Sequence, residues 1–575
     1  MLRVTSNHTR IRDSIARLNF GYVTTNFGNH TRAFLSVHKR YLRRITSFAE
    51  VHVDEVHTRS FDLYDSFVCL RLRRRQVDED EHFGPACLGN LNGFHDEAIL
   101  PQIVIICAAM RSRNLTFLFA VLLTCCFAQV SVAQVNIPFE TYKLPNGLTV
   151  ILSVDRTTPT VAVNLWYHVG SKNEAPGRTG FAHLFEHVMF TGSGHVPYGL
   201  HDKLTEGVGG GNNGTTNNDR TNYYETVPSN YLETMLWLEA DRMGFLLDKL
   251  DIAKLNAQRD VVKNERRQNY DNQPYGRVSE IFSAAMYPKG HPYSWPVIGS
   301  MDDLTAASEE DVKAFFRLYY APNNASLAIV GDFDPAQAKA WIEKYFGDLP
   351  QGQPVTRPRV APAKLEASKR LVYEDKVQVP RLYIQWPTVG TKQDTGLGLM
   401  SLILSGSRTA RLTKALVYDS QLASNIIAFQ NSAEDVGVFQ IVVTPRPEHT
   451  LTELEEAVDK VLQKFIAEGP TAEELQMAKS GLELNSLRGL ESNLGISNQL
   501  LAGSVLFGNA GQFKIDYQRI LAVTTADVKR VAGTYLSGPR IVLSVVPRGK
   551  KDQASKAAES ETVTMVQKQV RGGRS

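Results

Sequence analysis

Cysteine is confined to one end of this 575-residue chain: Cys69, Cys87, Cys107, Cys125 and Cys126 all precede residue 134, and none follows it. The body of the protein therefore relies on no disulfide and offers no thiolate to a metal, so any ion it holds must be bound by histidine and carboxylate. Lysine is scarce at the same end. Residues 1–109 carry thirteen arginines, seven histidines and one lysine, Lys39, whereas the remainder uses lysine freely. A net charge of +3 lacks the strong basic excess of a nucleic-acid partner, and 21% charged with 43% hydrophobic residues is ordinary globular composition. Long apolar runs are missing too. The one candidate, residues 115–127, is too short to cross a bilayer as a stable helix.

That run follows Met110-Arg-Ser-Arg-Asn114 and precedes Ser131-Val-Ala133. A basic start, an apolar middle and a small-residue cleavage site make residues 110–133 an export signal, with a membrane anchor or a lipidated Cys125 or Cys126 as the competing readings. Signals stand at an amino terminus, so residues 1–109 read as a mis-assigned start, disordered, ahead of true initiation at Met110. Peptides from residues 1–109 in the native protein would refute this. The expectation is an exported protein, periplasmic or extracellular, with no stable membrane span once the signal is removed.

The organising stretch is Arg178-Thr-Gly-Phe-Ala-His183-Leu-Phe-Glu186-His187-Val-Met-Phe190. Phe181, Leu184, Phe185, Val188 and Met189 recur at helical spacing, which predicts a helix with one buried face. His183 and His187, four residues apart, then stack on one side of it with Glu186 beside them. Two imidazoles so placed can grip one zinc ion, which needs a third protein ligand and keeps a position for water. H-x-x-E-H is the inverted zinc-peptidase signature, in which the glutamate is general base rather than ligand. The plain alternative is a helix carrying two unconnected histidines. Among several downstream carboxylates, Glu265 on the predicted helix 255–268 is the best third ligand. His195 and His201 lie nearer but in a glycine- and proline-rich segment without helical pairing.

Residues 134–575 suffice for two domains of about 200 residues. Tyr142–Leu152 reads as strand, Asn146-Gly147 turn and strand, Val161–His168 as a further strand, and Ser229–Leu247 as an amphipathic helix. Gly209 to Val227 reads as a glycine and asparagine loop running into a strand, the loop equally a flexible one or a backbone surface for an extended peptide. Proline-rich residues 349–367 form a linker between a first domain (134–348) and a second (368–549), and residues 550–575 a disordered tail. The two halves end alike: the helix Asp311–Tyr320 and strand Ala325–Val330 in one, the helix Asp527–Tyr535 and strand Arg540–Val546 in the other. One domain is therefore duplicated, with the histidine motif in the first copy only.

Taken together, Gly170-Ser through Phe190, the Asn213-Gly-Thr-Thr segment with Tyr223-Tyr224, Val261-Val-Lys-Asn-Glu265-Arg, Gly290-His-Pro-Tyr293, and Tyr320-Ala-Pro-Asn-Asn324 with Val330-Gly-Asp332 resemble the pitrilysin and insulinase family of zinc peptidases, in the half-length branch typified by the mitochondrial processing peptidase beta subunit. The resemblance spans residues 138–548. It implies an α+β fold of two similar domains, each a mainly antiparallel sheet with helices packed on it. It implies one zinc ion per chain on His183, His187 and Glu265, with Glu186 polarising the water. It also implies that a peptide is held as an added strand on a sheet edge near Asn213, in a chamber between two homologous halves.

Two departures qualify this. Gln258 stands where many members carry a glutamate supporting the metal site; its amide can still accept a hydrogen bond from a ligand histidine but adds no charge. Val417 and Ser424 stand where complete members carry an arginine and a tyrosine that steady substrate and oxyanion. A heterodimer with a homologous subunit supplying that pair is expected. The expected activity is that of an exported zinc metalloendopeptidase acting on peptides or small proteins; the alternative is a non-catalytic exported peptide-binding subunit of the same fold.

Overall fold

The computed structural model describes residues 136–565, apart from 359, 394 and 395. The expected mis-assigned start and export signal, and the last ten residues of the expected tail, lie outside them. Among the described residues no helix is long and apolar enough to cross a membrane.

The first sheet is built from β1 (Glu140–Lys143), β2 (Thr149–Val154), β3 (Thr160–Tyr167), β4 (Gly211–Thr216), β5 (Thr221–Pro228) and β6 (Ala325–Gly331), in the order β1-β2-β6-β3-β5-β4. All neighbours are antiparallel except the parallel pair β2 and β6. The second sheet has β7 (Lys369–Asp375), β8 (Arg381–Val389), β9 (Ala423–Ser432), β10 (Val436–Pro445), β11 (Ile541–Pro547) and β12 (Glu561–Thr562), in the order β12-β7-β11-β8-β10-β9. Substituting β7 for β2, β11 for β6, β8 for β3, β10 for β5 and β9 for β4 turns the last five strands of one order into those of the other, with β7 and β11 parallel as β2 and β6 are; the outermost strands differ, since β1 runs antiparallel to β2 and β12 parallel to β7. This is a duplicated α+β fold, and the described residues among 351–365, between the copies, carry no regular element.

Hydrophobic alternation explains how the copies pack. One face of each sheet is covered by helices of its own half, with Leu165, Tyr167 and Tyr223 in the first core and Ile384, Trp386 and Phe439 in the second. The opposite faces are covered by exchange. Ile281, Phe282 and Met286, on the helix Val278–Met286 of the first half, pack on Leu371, Ile541 and Leu543 of the second sheet. Ile496, Leu500 and Leu501, on the helix Asn493–Phe507 of the second half, pack on Ile151, Trp166 and Val330 of the first.

Two expectations fail. Residues 211–216, read as loop, form β4, because pairing with β5 from Gly211 opposite Thr226 to Thr216 opposite Thr221 outweighs the poor strand propensity of glycine and asparagine. Residues 550–565 are not a disordered tail. Glu561 and Thr562 pair with Leu371 and Val372, giving the open edge of β7 a partner, and Ser555 N donates to Ser544 Oγ at 3.0 Å. The polar composition of the segment concealed this, since main-chain pairing needs no apolar side chain.

Candidate metal centre

The histidine helix spans Phe181–Val188. Phe181, Leu184, Phe185 and Val188 are buried in the first core, with the Phe185 ring 5.7 Å from Phe315 and 5.0 Å from Tyr320. Its N-cap, Gly180, is left-handed (φ 91°), and a Cβ there would stand 2.9 Å from the carbonyl oxygen of Ile298. With no side-chain cap of its own, the helix is capped from a distance: both oxygens of buried Glu174 accept hydrogen bonds, from Gly180 N and Ala182 N, each at 2.9 Å. Asp303 Oδ2 accepts from Thr179 N at 3.0 Å and from Thr179 Oγ1 at 2.6 Å.

On the opposite face the rings of His183 and His187 lie 4.8 Å apart at 81°. The helix Ile252–Arg266, capped by Asp251 accepting from Lys254 N, brings in Glu265. Its Oε2 lies 3.2 Å from His187 Nε2 and 3.6 Å from His183 Nε2. Ligands about 2.1 Å from a tetrahedral zinc stand about 3.4 Å from one another, so these separations suit one shared ion. His187 Nε2 and Glu265 Oε2 are buried and make no well-formed hydrogen bond. A cluster with polar atoms converging and unsatisfied fits a metal better than it fits an apolar core. Burial and the neighbouring His187 push His183 down to about 4, against the pull of Glu265, so its imidazole is neutral and able to ligate at neutral pH. The adjacent His187, against opposing burial, holds Glu265 below the usual carboxylate range.

Glu186 sits on the same helix beside this trio, facing β4. Burial raises its pKa, with Thr216 and His187 opposing. A Cβ on Gly214 would lie 3.0 Å from Glu186 Cγ. β4 is the outermost strand, bonded only to β5. Since Asn217 N donates to Arg220 O at 3.0 Å, the alternation of an antiparallel ladder turns the main-chain groups of Asn213 and Thr215 toward β5 and those of Asn212, Gly214 and Thr216 toward the free edge. The exposed Asn213 side chain accepts from Gly214 N at 2.8 Å.

Other candidates fall elsewhere. Gln258, expected to support a ligand histidine, makes no hydrogen bond to either, and His183 Nδ1 has no hydrogen-bond partner among the described residues. His195 pairs with Asp241 at 2.5 Å. His201 lies on a short helix, Leu200–Glu206, that the segment's composition hid, and is 3.3 Å from Glu225. Its buried group with Glu225 and Glu239 contains the Arg242 guanidinium, which pairs with both carboxylates and takes the place a cation would need. Val417 lies in the turn Lys414–Asp419, and Ser424 on β9 donates its hydroxyl to Thr444 O at 3.2 Å, so neither place offers a cation or a phenol.

A charged junction between the halves leaves no signature in the sequence. Lys172 Nζ lies 2.6 Å from Glu434 Oε2, 2.9 Å from Asp435 Oδ2 and 3.1 Å from Asp219 Oδ1, while His168 Nε2 lies 2.8 Å from Glu434 Oε2. Tyr293 donates to Asp219 and Asp435. Four separate segments meet there, residues 168–172, 219, 293 and 434–435, so sequence distance carries no signal of it.

Two histidines one turn apart and a distant carboxylate, with a second glutamate beside an open strand edge, form a donor set that fits one zinc ion. Residues 149–298 match the family model described as Insulinase (Peptidase family M16), and residues 306–482 the one described as Peptidase M16 inactive domain. The chain is 30% identical over 411 residues to the zinc protease PqqE of Helicobacter pylori, over 70% of this chain and 91% of that protein. It is 25% identical over 420 residues to the mitochondrial-processing peptidase subunit beta of Blastocladiella emersonii, over 70% of this chain and 88% of that one. The crystal structure of a protease from Helicobacter pylori superposes with a TM-score of 0.66 at 27% identity, over 72% of this chain and 100% of that chain. The chain belongs to the insulinase family, peptidase family M16, in its half-length branch.

Proposed function

We propose that this chain is an exported zinc-dependent endopeptidase that cleaves peptides held in extended form along β4. The observation that carries the reading is the convergence of His183, His187 and Glu265 on one point, with Glu186 between that point and the free edge of β4. Zinc held by the three ligands would supply a water of lowered pKa and polarise the scissile carbonyl. Glu186 accepts the water's proton and passes it to the leaving amine, a role suited to a carboxyl group whose pKa burial has raised. A peptide strand pairs with the outward main-chain groups of Asn212, Gly214 and Thr216, which positions its backbone while leaving side-chain choice broad. The Asn213 carboxamide, which covers the Gly214 amide, makes way for the substrate's carbonyl.

Export rests on the signal-like residues 110–133. Val417 and Ser424 support a heterodimer in which a homologous subunit contributes the arginine and tyrosine that this chain lacks. The same two residues favour a second reading, a non-catalytic peptide-holding subunit. Hydrolysis of an unstructured peptide by the purified chain, alone and with a homologous partner, separates them. Cleavage that the Glu186→Gln variant loses while keeping its zinc supports the endopeptidase; peptide binding without cleavage in either preparation supports the holding subunit.

A further inference from the structure

The loop 170–174 links the turn after β4, the second half of the chain and the start of the histidine helix without contributing a ligand. At its start, Gly170 has no room for a side chain, since a Cβ would stand 2.4 Å from Asn217 O. Ser171 N then donates to Asn217 O at 3.1 Å and Lys172 N to Asn218 O at 3.0 Å, which stitches the loop to the turn between β4 and β5. Trp295 Nε1 donates to Ser171 O at 2.9 Å. The Lys172 ammonium reaches across to Glu434 and Asp435 of the second half at 2.6 and 2.9 Å. At the loop's end, Glu174 holds the amides of Gly180 and Ala182.

The histidine helix is only eight residues long, too short to be stable by itself, and its first-turn amides have no other side-chain acceptor among the described residues. Ala182 immediately precedes His183, so a rotation or slide of the first turn moves that imidazole directly. We infer that Glu174 is a positioning residue: its carboxyl group fixes the first turn of the histidine helix and thereby the aim of His183 and His187, and the second half of the chain holds Glu174 in place through Lys172. This rests on the metal-centre reading above. It also gives the ligand-free half a part in the site of the other half.

The test is zinc affinity, measured by competition with a chromophoric chelator on the full chain, beside the thermal midpoint of the same metal-free samples. Glu174→Gln keeps one acceptor oxygen and replaces the other with an amine that cannot accept from a main-chain N–H. It should bind zinc about tenfold more weakly or worse, the range seen when outer-shell partners of ligands are removed. Asp334→Ala, which removes the N-cap of the distant helix Pro335–Phe346, supplies a fold-weakening control that should bind zinc as the wild type does. If Glu174→Gln does not fold, Glu174→Asp, one methylene shorter and able to reach a single amide, takes its place in the same comparison. Unchanged zinc affinity in the Glu174 variant, or an equal loss in Asp334→Ala, overturns the inference. A wild-type chain that binds no zinc overturns the metal-centre reading itself, and the inference with it.

Discussion

Glu186 and Gly214 are in contact across the gap between helix and strand: a Cβ on Gly214 would lie 3.0 Å from Glu186 Cγ, and 3.2 Å from the rings of both Phe190 and Tyr223. Glycine at this point of β4 is therefore what lets the helix bring its carboxylate up to the strand edge. Gly214→Val should push Glu186 aside by a fraction of an ångström to an ångström, a misplacement that costs on the order of a hundredfold in turnover. Zinc content, which depends on His183, His187 and Glu265 rather than on Glu186, should be unchanged. Parallel measurement of peptide hydrolysis and bound zinc checks both halves of this expectation.

The junction between the halves should be labile to acid. Burial would raise the Glu434 pKa, but His168 and Lys172 outweigh it and hold Glu434 down at about 2, against an ordinary value near 4.3. A depressed carboxylate contributes stability that is present above its unfolded-state pKa and disappears as pH falls toward its folded-state one. The midpoint of thermal unfolding should therefore drop between pH ~4.3 and ~2. Glu434→Gln should be less stable at neutral pH and show a flatter dependence across that window. Equal slopes for the two proteins would show that this carboxylate is not the titrating group.

Much of this was legible in the sequence, and the reasons differ by element. The histidine helix announced itself through the spacing of Phe181, Leu184, Phe185 and Val188, and the repeated helix-and-strand endings exposed the duplication, because both signals are local. β4 was not legible: Gly211, Asn212 and Asn213 have poor strand propensity, and only the register with β5 makes them a strand. Glu174 was hidden because it caps a helix from outside it, across a loop. The exchange of helices between sheets, such as Leu500 on Trp166, joins residues hundreds of positions apart and leaves no periodic trace.

The tail offers a prediction of its own. Deleting residues 550–575 removes β12 from the edge of β7 and takes the Ser555 hydroxyl from Glu455, a fully buried carboxylate also bound by Arg370 and Arg540. Hydrogen bonds to charged groups contribute about 1.5–3 kcal/mol, so the truncated chain should lose about 2 kcal/mol in denaturant unfolding. A truncated chain as stable as the full one would mean the tail lies on the surface without holding it.

Where the ion binds decides what this chain can catalyse. Anomalous diffraction from crystals of the zinc-loaded protein, recorded on either side of the zinc edge, should show one peak within about 2.2 Å of His183 Nε2, His187 Nε2 and a carboxylate oxygen of Glu265, and no such peak in the His187→Ala variant. A peak bound elsewhere, for example among His201, Glu225 and Glu239, or no peak at all from zinc-loaded wild-type protein, would contradict the assignment of this centre and the hydrolytic function proposed for it.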